Sequence, residues 1–220
     1  MQLSARSGTV LRRPGHALNR GPRRALITQA TKSAVSTKEA AAAKAELLRL
    51  VKGTERGVST SASDLSAIKS AVQVLRAAGE GSATTGAEQS GTWELVWTTE
   101  KETLFILEKA PVFGTRAGGV YQVIDTAGDG SGPYLQNVIT FPPEGAFIVD
   151  SAINVEGPQR VGFSFTAAKL KLPAGRNVPV PPFGKGWFDN VYMDKDIRVS
   201  CDSRGDTLVT TRVGPPKRFT

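Results

Sequence analysis

Histidine and cysteine are almost missing from this chain of 220 residues, which contains one of each. With Cys201 as its single cysteine, the chain cannot form an internal disulfide. The single histidine, His16, lies in an N-terminal segment that we expect to be removed. The remaining chain would then have no imidazole, which excludes Ser-His-Asp and Cys-His catalysis, histidine-ligated zinc or haem, and a histidine pH switch. We expect neither a metal site nor another cofactor.

Acidic residues are absent from positions 1–30, where six arginines account for most of the net charge of +8. From residue 31 onward, 22 basic residues face 20 acidic ones, which leaves +2. The chain after residue 30 is nearly neutral and lacks the excess of positive charge that binds nucleic-acid phosphates. We therefore expect no nucleic-acid partner. No apolar stretch approaches the roughly 20 residues that span a bilayer, which predicts a soluble or peripheral protein.

Residues 1–30 are rich in Arg, Ala, Ser and Gly and lack the apolar run of a signal peptide. This composition is typical of an organelle transit peptide, with cleavage expected near Ala30. A solvated basic arm is the alternative. Composition alone does not distinguish a mitochondrial from a chloroplast targeting signal.

Residues 31–90 carry the patterns of two helices and a linker. Ser36 to Glu39 forms a capping box, and apolar residues then recur at helical spacing until Gly53. A second helix is predicted from about Ser63 to Gly79, followed by a linker rich in Gly, Ser and Thr that ends at Ser90. We expect the apolar faces of both helices to pack against the main domain.

Residues 91–220 change to a strand pattern, beginning with the alternation of Trp93, Leu95 and Trp97. About eight short strands are predicted with no helix between them, and the apolar run 104–107 is included among the strand candidates. Residues 202–206 read as a hairpin loop with its glycine at positive φ. Such a series predicts an antiparallel sheet, and closure into a β-barrel would remove its exposed edges. Eight strands leave room inside for side chains or one small ligand.

Several unusual strings carry a family resemblance as well. They are Gly53-Thr-Glu-Arg-Gly57, Gly91-Thr-Trp-Glu-Leu-Val-Trp-Thr-Thr99, Phe113-Gly-Thr-Arg-Ala-Gly-Gly-Val-Tyr-Gln-Val-Ile-Asp125, Gln159-Arg-Val161, Pro181 to Phe188 and Tyr192-Met-Asp-Lys-Asp-Ile-Arg198. In this order and spacing the chain resembles the small single-domain plastid lipid-associated proteins, or fibrillins, from about Ala45 to Arg212. The resemblance implies a chloroplast location (thylakoid, plastoglobule or stroma), a lipocalin-like barrel, and binding or stabilisation of a quinone, carotenoid or acyl lipid. It implies no catalytic residue.

Aromatic side chains of the strands are the candidates for lining an apolar ligand cup, although periodicity leaves open which of them face inward. The candidates are Trp97, Phe105, Tyr121, Phe147, Phe163 and Phe165.

Two further groups of residues have both a structural and a functional interpretation. Trp93 stands in the Gly-x-Trp form that begins lipocalin barrels, where the tryptophan closes one end and an arginine packs over it, here Arg198 or Arg212.

Asp194, Asp196 and Arg198 are spaced two apart, so in a strand they would share one face. They could form an acid/base pair or a structural ion cluster.

The segment 179–188 combines prolines and glycines with Phe183, Trp187 and Phe188 beside Lys185. Aromatic residues next to a cation suit a membrane or lipid-droplet interface. The alternative is a lid that folds onto its own barrel.

The sequence therefore predicts a non-enzymatic protein that binds a lipophilic small molecule or a lipid surface, of unknown oligomeric state. One alternative is a barrel enzyme of the isomerase or cyclase type, which would need Asp194, Asp196, Glu94 or Tyr121 for proton transfer. The other is a structural coat protein whose barrel is filled by its own side chains.

Overall fold

The computed structural model describes residues 35–128, 130 and 132–220. The predicted leader and its cleavage point lie outside these described residues. The described part contains three α-helices and one sheet of nine strands. The helices are α1 Thr37–Val51, α2 Ala62–Ala78 and α3 Lys101–Lys109. The strands are β1 Gly91–Thr98, β2 Val120–Asp125, β3 Tyr134–Phe141, β4 Gly145–Val155, β5 Arg160–Lys171, β6 Asn177–Val180, β7 Lys185–Met193, β8 Ile197–Asp202 and β9 Thr207–Gly214.

Each of the first two helices begins at a serine whose side chain accepts a hydrogen bond from a free backbone amide. Ser36 and Glu39 form the expected capping box of α1, and Ser61 caps α2. Gly79 ends α2 because the helix meets β7 there: a Cβ at this position would collide with the carbonyl oxygen of Val191. Both predicted helices are confirmed, with α2 starting slightly earlier than expected.

All strand pairs are antiparallel, and the order along the sheet is β4-β3-β2-β1-β9-β8-β7-β5-β6. An additional β4–β5 pairing joins the two sides of this order into a ring, with β6 attached to the far half of β5. The mainly β class and its antiparallel pairing are thus confirmed. So is the hairpin between β8 and β9, where Gly205 has a φ of 87°.

The prediction of strands without an intervening helix was wrong for one segment. The apolar run 104–107 lies in α3, between β1 and β2. Ile106 and Leu107 pack beside Leu95 and Leu208, so the helix supplies apolar surface to the interior of the ring. Its four apolar residues are consecutive, and so short a run does not reveal whether the period is that of a helix or of a strand.

The first two helices cover the outer face of the ring over β1 and β7–β9. Leu47 and Leu75 are fully buried there against Val199 and Val209, together with Trp97 of β1. Burial of each such leucine contributes roughly 1.5–3 kcal/mol. A separate cluster around Trp93 fills one end of the ring interior. The Trp93 cluster leaves the other end of the interior as the place for a site.

Candidate functional site

A cavity of about 570 Å³ occupies the ring interior, lined by residues of α3 and of all nine strands. Its wall is mostly apolar and includes Phe147, Phe163 and Phe165, three of the six residues predicted to line a ligand cup. The rings of Phe163 and Phe165 stack with their centroids 5.4 Å apart. A volume of this size suits a small-molecule ligand, since ligand pockets are usually about 300–1,000 Å³.

The other three predicted cup residues are placed differently. Trp97 lies beneath the helices, where its Nε1 donates to Thr60 Oγ1 at 3.0 Å. Phe105 is 59% exposed on α3 and is not part of the cavity wall. Tyr121 belongs to the wall through its strand, but its ring stacks on Phe219 of the C-terminal segment at 5.1 Å. The alternation along a strand predicts two faces but not which one is internal, which explains the position of Trp97, whereas Phe105 lies on a helix that was not predicted.

The mouth of the cavity is defined by its exposed lining residues. They come from the start of α3, the β6–β7 loop and the β8–β9 hairpin. Phe183 is 82% exposed and stands at this mouth with Lys185, whereas Glu102 and Arg204 lie on its polar side. The mouth therefore offers an apolar edge and a charged edge.

The aromatic segment was predicted to be a loop throughout, and this is correct only for residues 181–184, because Pro179 and Val180 belong to β6. Lys185, Trp187 and Phe188 belong to β7. Phe188 is buried in the cluster around Trp93, and Arg160 lies 3.6 Å above the ring of Trp187. Only Phe183 keeps the exposed position expected of a loop aromatic residue.

Charged residues join two elements of the mouth. Arg204 of the β8–β9 hairpin lies 2.7 Å from Glu102 and 3.9 Å from Glu100, at the start of α3. Glu100 lines the cavity and accepts a hydrogen bond from Thr103 Oγ1. Burial raises the pKa of Glu100, assisted by the charges of Asp202 and Asp206 and opposed by Thr103 and Arg204. The sequence analysis missed this group, because nothing in the pattern around Glu100 indicates that a loop carboxylate turns inward.

The opposite end of the ring is closed by Trp93. Its indole is fully buried, and its Nε1 donates to the carbonyl of Gln89 at 2.9 Å. Arg212 lies 4.0 Å from the ring centroid and donates to the carbonyl of Ser90 at 2.7 Å. Gly91 makes room for this contact, because a Cβ there would collide with the Arg212 guanidinium. The Gly-x-Trp string thus holds an arginine over the indole.

Arg198 approaches the same indole from within the ring, at 5.3 Å from its centroid, and is fully buried. Its Nη atoms donate to the side chains of Gln122, Asn190 and Ser200. Burial, together with the charge of Arg212, lowers the pKa of Arg198 to about 9. The guanidinium of arginine stays protonated in proteins, so the buried side chain carries a positive charge.

Asp194 and Asp196 do not share a strand face with Arg198, contrary to the prediction. Both lie in the turn between β7 and β8, where Lys44 of α1 contacts them at 2.7 and 2.8 Å. Burial raises the pKa of Asp194, but the hydrogen bonds from Lys44 and from the amides of Ile197 and Asp196 outweigh it. The net pKa of Asp194 is lowered. The hydrogen bond from Lys44 lowers the pKa of Asp196. The pair joins the first helix to the sheet.

The sequence of this chain matches the profile of the PAP_fibrillin family over residues 41–211. The chain belongs to the plastid lipid-associated protein (fibrillin) family. It is 47% identical over 186 residues to a probable plastid-lipid-associated protein 11, chloroplastic, of Arabidopsis thaliana, which covers 83% of this chain and 84% of the relative. The family predicted from the sequence strings is confirmed, as is the chloroplast location. No solved structure matches this fibrillin.

The groups named for an enzymatic mechanism do not meet at the cavity of this fibrillin. Asp194 and Asp196 are bound to Lys44, and Glu94 lies 4.0 Å from Arg56. Within the described part of the chain, no helix is long and apolar enough to cross a membrane. Among the same residues, no group of His, Cys, Asp and Glu is arranged to hold a metal ion.

Proposed function

We propose that this fibrillin is a lipocalin-like carrier that holds one small lipophilic molecule, such as a quinone, a carotenoid or an acyl lipid, inside the ring. The observation that carries the proposal is the apolar cavity with Phe147, Phe163 and Phe165 in its wall. Filling such a cavity with an apolar ligand removes apolar surface of both partners from water, at about 25 cal/mol per Å². A coat protein whose barrel is filled by its own side chains would leave no such cavity.

The position of Phe183 supports contact with a lipid surface at thylakoids or plastoglobules. An aromatic residue that is 82% exposed beside a lysine, at the mouth of an apolar cavity, suits an interface where lipid enters or leaves. The β6–β7 loop would then face the membrane, and the closed Trp93 end would face water.

An enzymatic role keeps one supporting observation, the raised pKa of Glu100 in the cavity wall. A carboxyl group with a raised pKa could transfer a proton to a bound lipid. The carrier is favoured because the other acidic and basic groups of the described lining, Glu102, Lys185, Asp202 and Arg204, lie with Glu100 at the mouth and not deeper along the apolar wall. Turnover of a bound lipid that is lost in Glu100→Gln would select the enzyme instead.

A pair of neighbouring alanines in β5 gives a matched test of ligand binding. Ala168 lines the cavity, whereas Ala167 is exposed on the other face of the same strand. Ala168→Trp should fill the cavity and weaken binding of a neutral fluorescent lipid, the methyl ester of cis-parinaric acid, at least tenfold. Ala167→Trp should leave binding unchanged. Equal binding by both variants would contradict the proposal.

The natural ligand can be identified directly. The protein is purified from chloroplasts under mild conditions, and the lipids extracted from it are analysed by mass spectrometry. We expect one lipid class to be enriched at a stoichiometry approaching one per chain. A composition equal to that of the surrounding membrane would argue against a specific cavity ligand.

A further inference from the structure

The charge of Arg198 is not balanced by any acidic group of the described residues. Its hydrogen-bond partners Gln122, Asn190 and Ser200 are all neutral, and its Nε has no partner at all. Buried arginines are usually paired, because an isolated charge removed from water is costly. A buried cation without a counter-charge beside a ligand cavity indicates that the negative charge comes from outside the protein.

A chain of hydrogen bonds connects this charge to the cavity. Arginine can only donate, so Gln122 must accept from Arg198 through Oε1. Gln122 then donates through Nε2 to Asn137 Oδ1 at 2.9 Å. Both amides line the cavity, and no described residue accepts a hydrogen bond from Asn137 Nδ2. The chain therefore ends in a free N–H donor at the cavity floor, polarised by the cation behind it.

We propose that the lipophilic ligand carries a carboxylate, as a long-chain fatty acid does, and that this carboxylate accepts a hydrogen bond from Asn137 Nδ2. The positive charge of Arg198, which lies behind Asn137 in the hydrogen-bond chain, would balance its negative charge. The proposal rests on the proposed function and names the head group of that ligand. A neutral carbonyl could also accept from Asn137, but it would leave the arginine charge unbalanced. Charge-assisted hydrogen bonds are about twice as strong as neutral ones, which favours the acid.

The same residues fix the orientation of the ligand. The mouth side of the cavity carries the carboxyl groups of Glu100 and Asp202, which would repel the carboxylate of a ligand, and the cations Lys185 and Arg204. Arg204 is already paired with Glu102 and Asp202, and Lys185 is exposed to solvent, so neither is a buried charge without a partner. The acid group therefore lies at the floor, and the hydrocarbon chain runs past Phe163 and Phe165 towards Phe183. This arrangement matches the distribution of polar and apolar side chains along the cavity.

The test compares cis-parinaric acid with its methyl ester, two probes that differ only in the charge of the head group. Fluorescence titrations of the full chain at pH 8 should show the acid binding at least tenfold more tightly than the ester. Asn137→Asp places a like charge at the donor position and should abolish this preference, because the affinity for the acid falls by far more than the affinity for the ester. Asn177→Asp, at an exposed position outside the cavity, makes the same change of charge and should preserve it.

The outcomes separate the two proposals. Equal binding of acid and ester by the unchanged protein would overturn the carboxylate and leave a lipid carrier standing. Binding of neither probe would overturn the carrier and the carboxylate together. Thermal melts verify that Asn137→Asp is folded, and Asn137→Leu, which removes the donor without adding charge, gives a second variant. An acid preference that survives in both variants would overturn the role of Asn137 and Arg198.

Discussion

At the scale of single residues, Phe183 and Trp187 lie four positions apart in the sequence but in different environments, one exposed to solvent and the other packed against the sheet. Phe183 follows two prolines and precedes Gly184, and it stands free at the cavity mouth. Trp187 lies in β7 with the guanidinium of Arg160 above its ring, and Arg160 also contacts Asp189 at 2.8 Å. One aromatic side chain is available to a lipid surface, and the other stabilises the sheet.

Phe183→Ala should therefore weaken binding to phosphatidylcholine vesicles and leave the thermal melt unchanged. Inserting a phenylalanine side chain into an apolar phase is worth roughly 1.5–3 kcal/mol, so partitioning should fall about tenfold or more. Vesicle flotation measures this loss. Val155→Ala is the control, because Val155 is also exposed but pairs with Val161 at the Trp93 end.

Trp187→Ala should give the reverse pattern, with normal flotation and a melting temperature lowered by several degrees. A loss of about 1 kcal/mol shifts the melting temperature of a chain of this size by roughly 2–4 °C. Reduced flotation with an unchanged melt would instead mean that Trp187 contacts lipid.

At the scale of elements, the structure confirms those segments whose local signals agree with one another. The α1 capping box and the hairpin ending in Gly205-Asp206 combine a pattern with a start or stop residue. The third helix lacks such a signal, since Glu100 at its N-cap makes no capping hydrogen bond from its side chain. The strand β7 was missed in part because glycines and prolines next to aromatic residues are typical of loops.

Contacts between elements were less predictable, because they join residues far apart in the chain. Lys44 meets Asp194 and Asp196 across about 150 positions, and Gln122 meets Arg198 across 76. Charge spacing within a single segment suggested that Asp194, Asp196 and Arg198 interact with each other. In the fold, the two carboxylates turn towards α1 and the arginine turns into the ring.

The tie between α1 and the β7–β8 turn predicts a dependence on pH. The pKa values of Asp194 and Asp196 are lowered from 3.8, so their contribution to stability is present above that value and is lost as the pH falls through the lowered values. Lys44→Met should lower the melting temperature at pH 7 by a few degrees and should have a smaller effect at pH 2. Melts at both pH values test this, with the exposed Lys38→Met as the control on the same helix. An effect that is equal at both pH values would mean that Lys44 acts by packing rather than by charge.

At the scale of the whole molecule, the ring has two ends with different physical characters. The Trp93 end is closed by an indole with Arg212 stacked on it. The mouth end carries an exposed aromatic residue and a group of carboxylates around Arg204. A fully buried side chain closes one end, whereas the other end holds the half-buried carboxyl group of Glu100, whose charged form is disfavoured by burial. Such a distribution suits a carrier, in which one end keeps the shape and the other admits the ligand.

The carboxyl group of Glu100 at the mouth should make the stability of the protein depend on pH. Its pKa is raised above 4.5, mainly by burial, so its ionised form is less favourable in the folded than in the unfolded chain. The resulting loss of stability is complete well above the raised pKa and is absent below 4.5, where both states are protonated.

Glu100→Gln should therefore raise the melting temperature at pH 8, by roughly 2–4 °C for each kcal/mol of relieved desolvation, and should match the unchanged protein at pH 3. The glutamine can still accept the hydrogen bond from Thr103, so packing at the mouth is preserved. The control is Glu108→Gln, which lies near the other end of α3 and is exposed to solvent. Destabilisation by Glu100→Gln at pH 8 would show that attraction to Arg204 outweighs burial, and the carboxylates at the mouth would then hold α3 and the β8–β9 hairpin together.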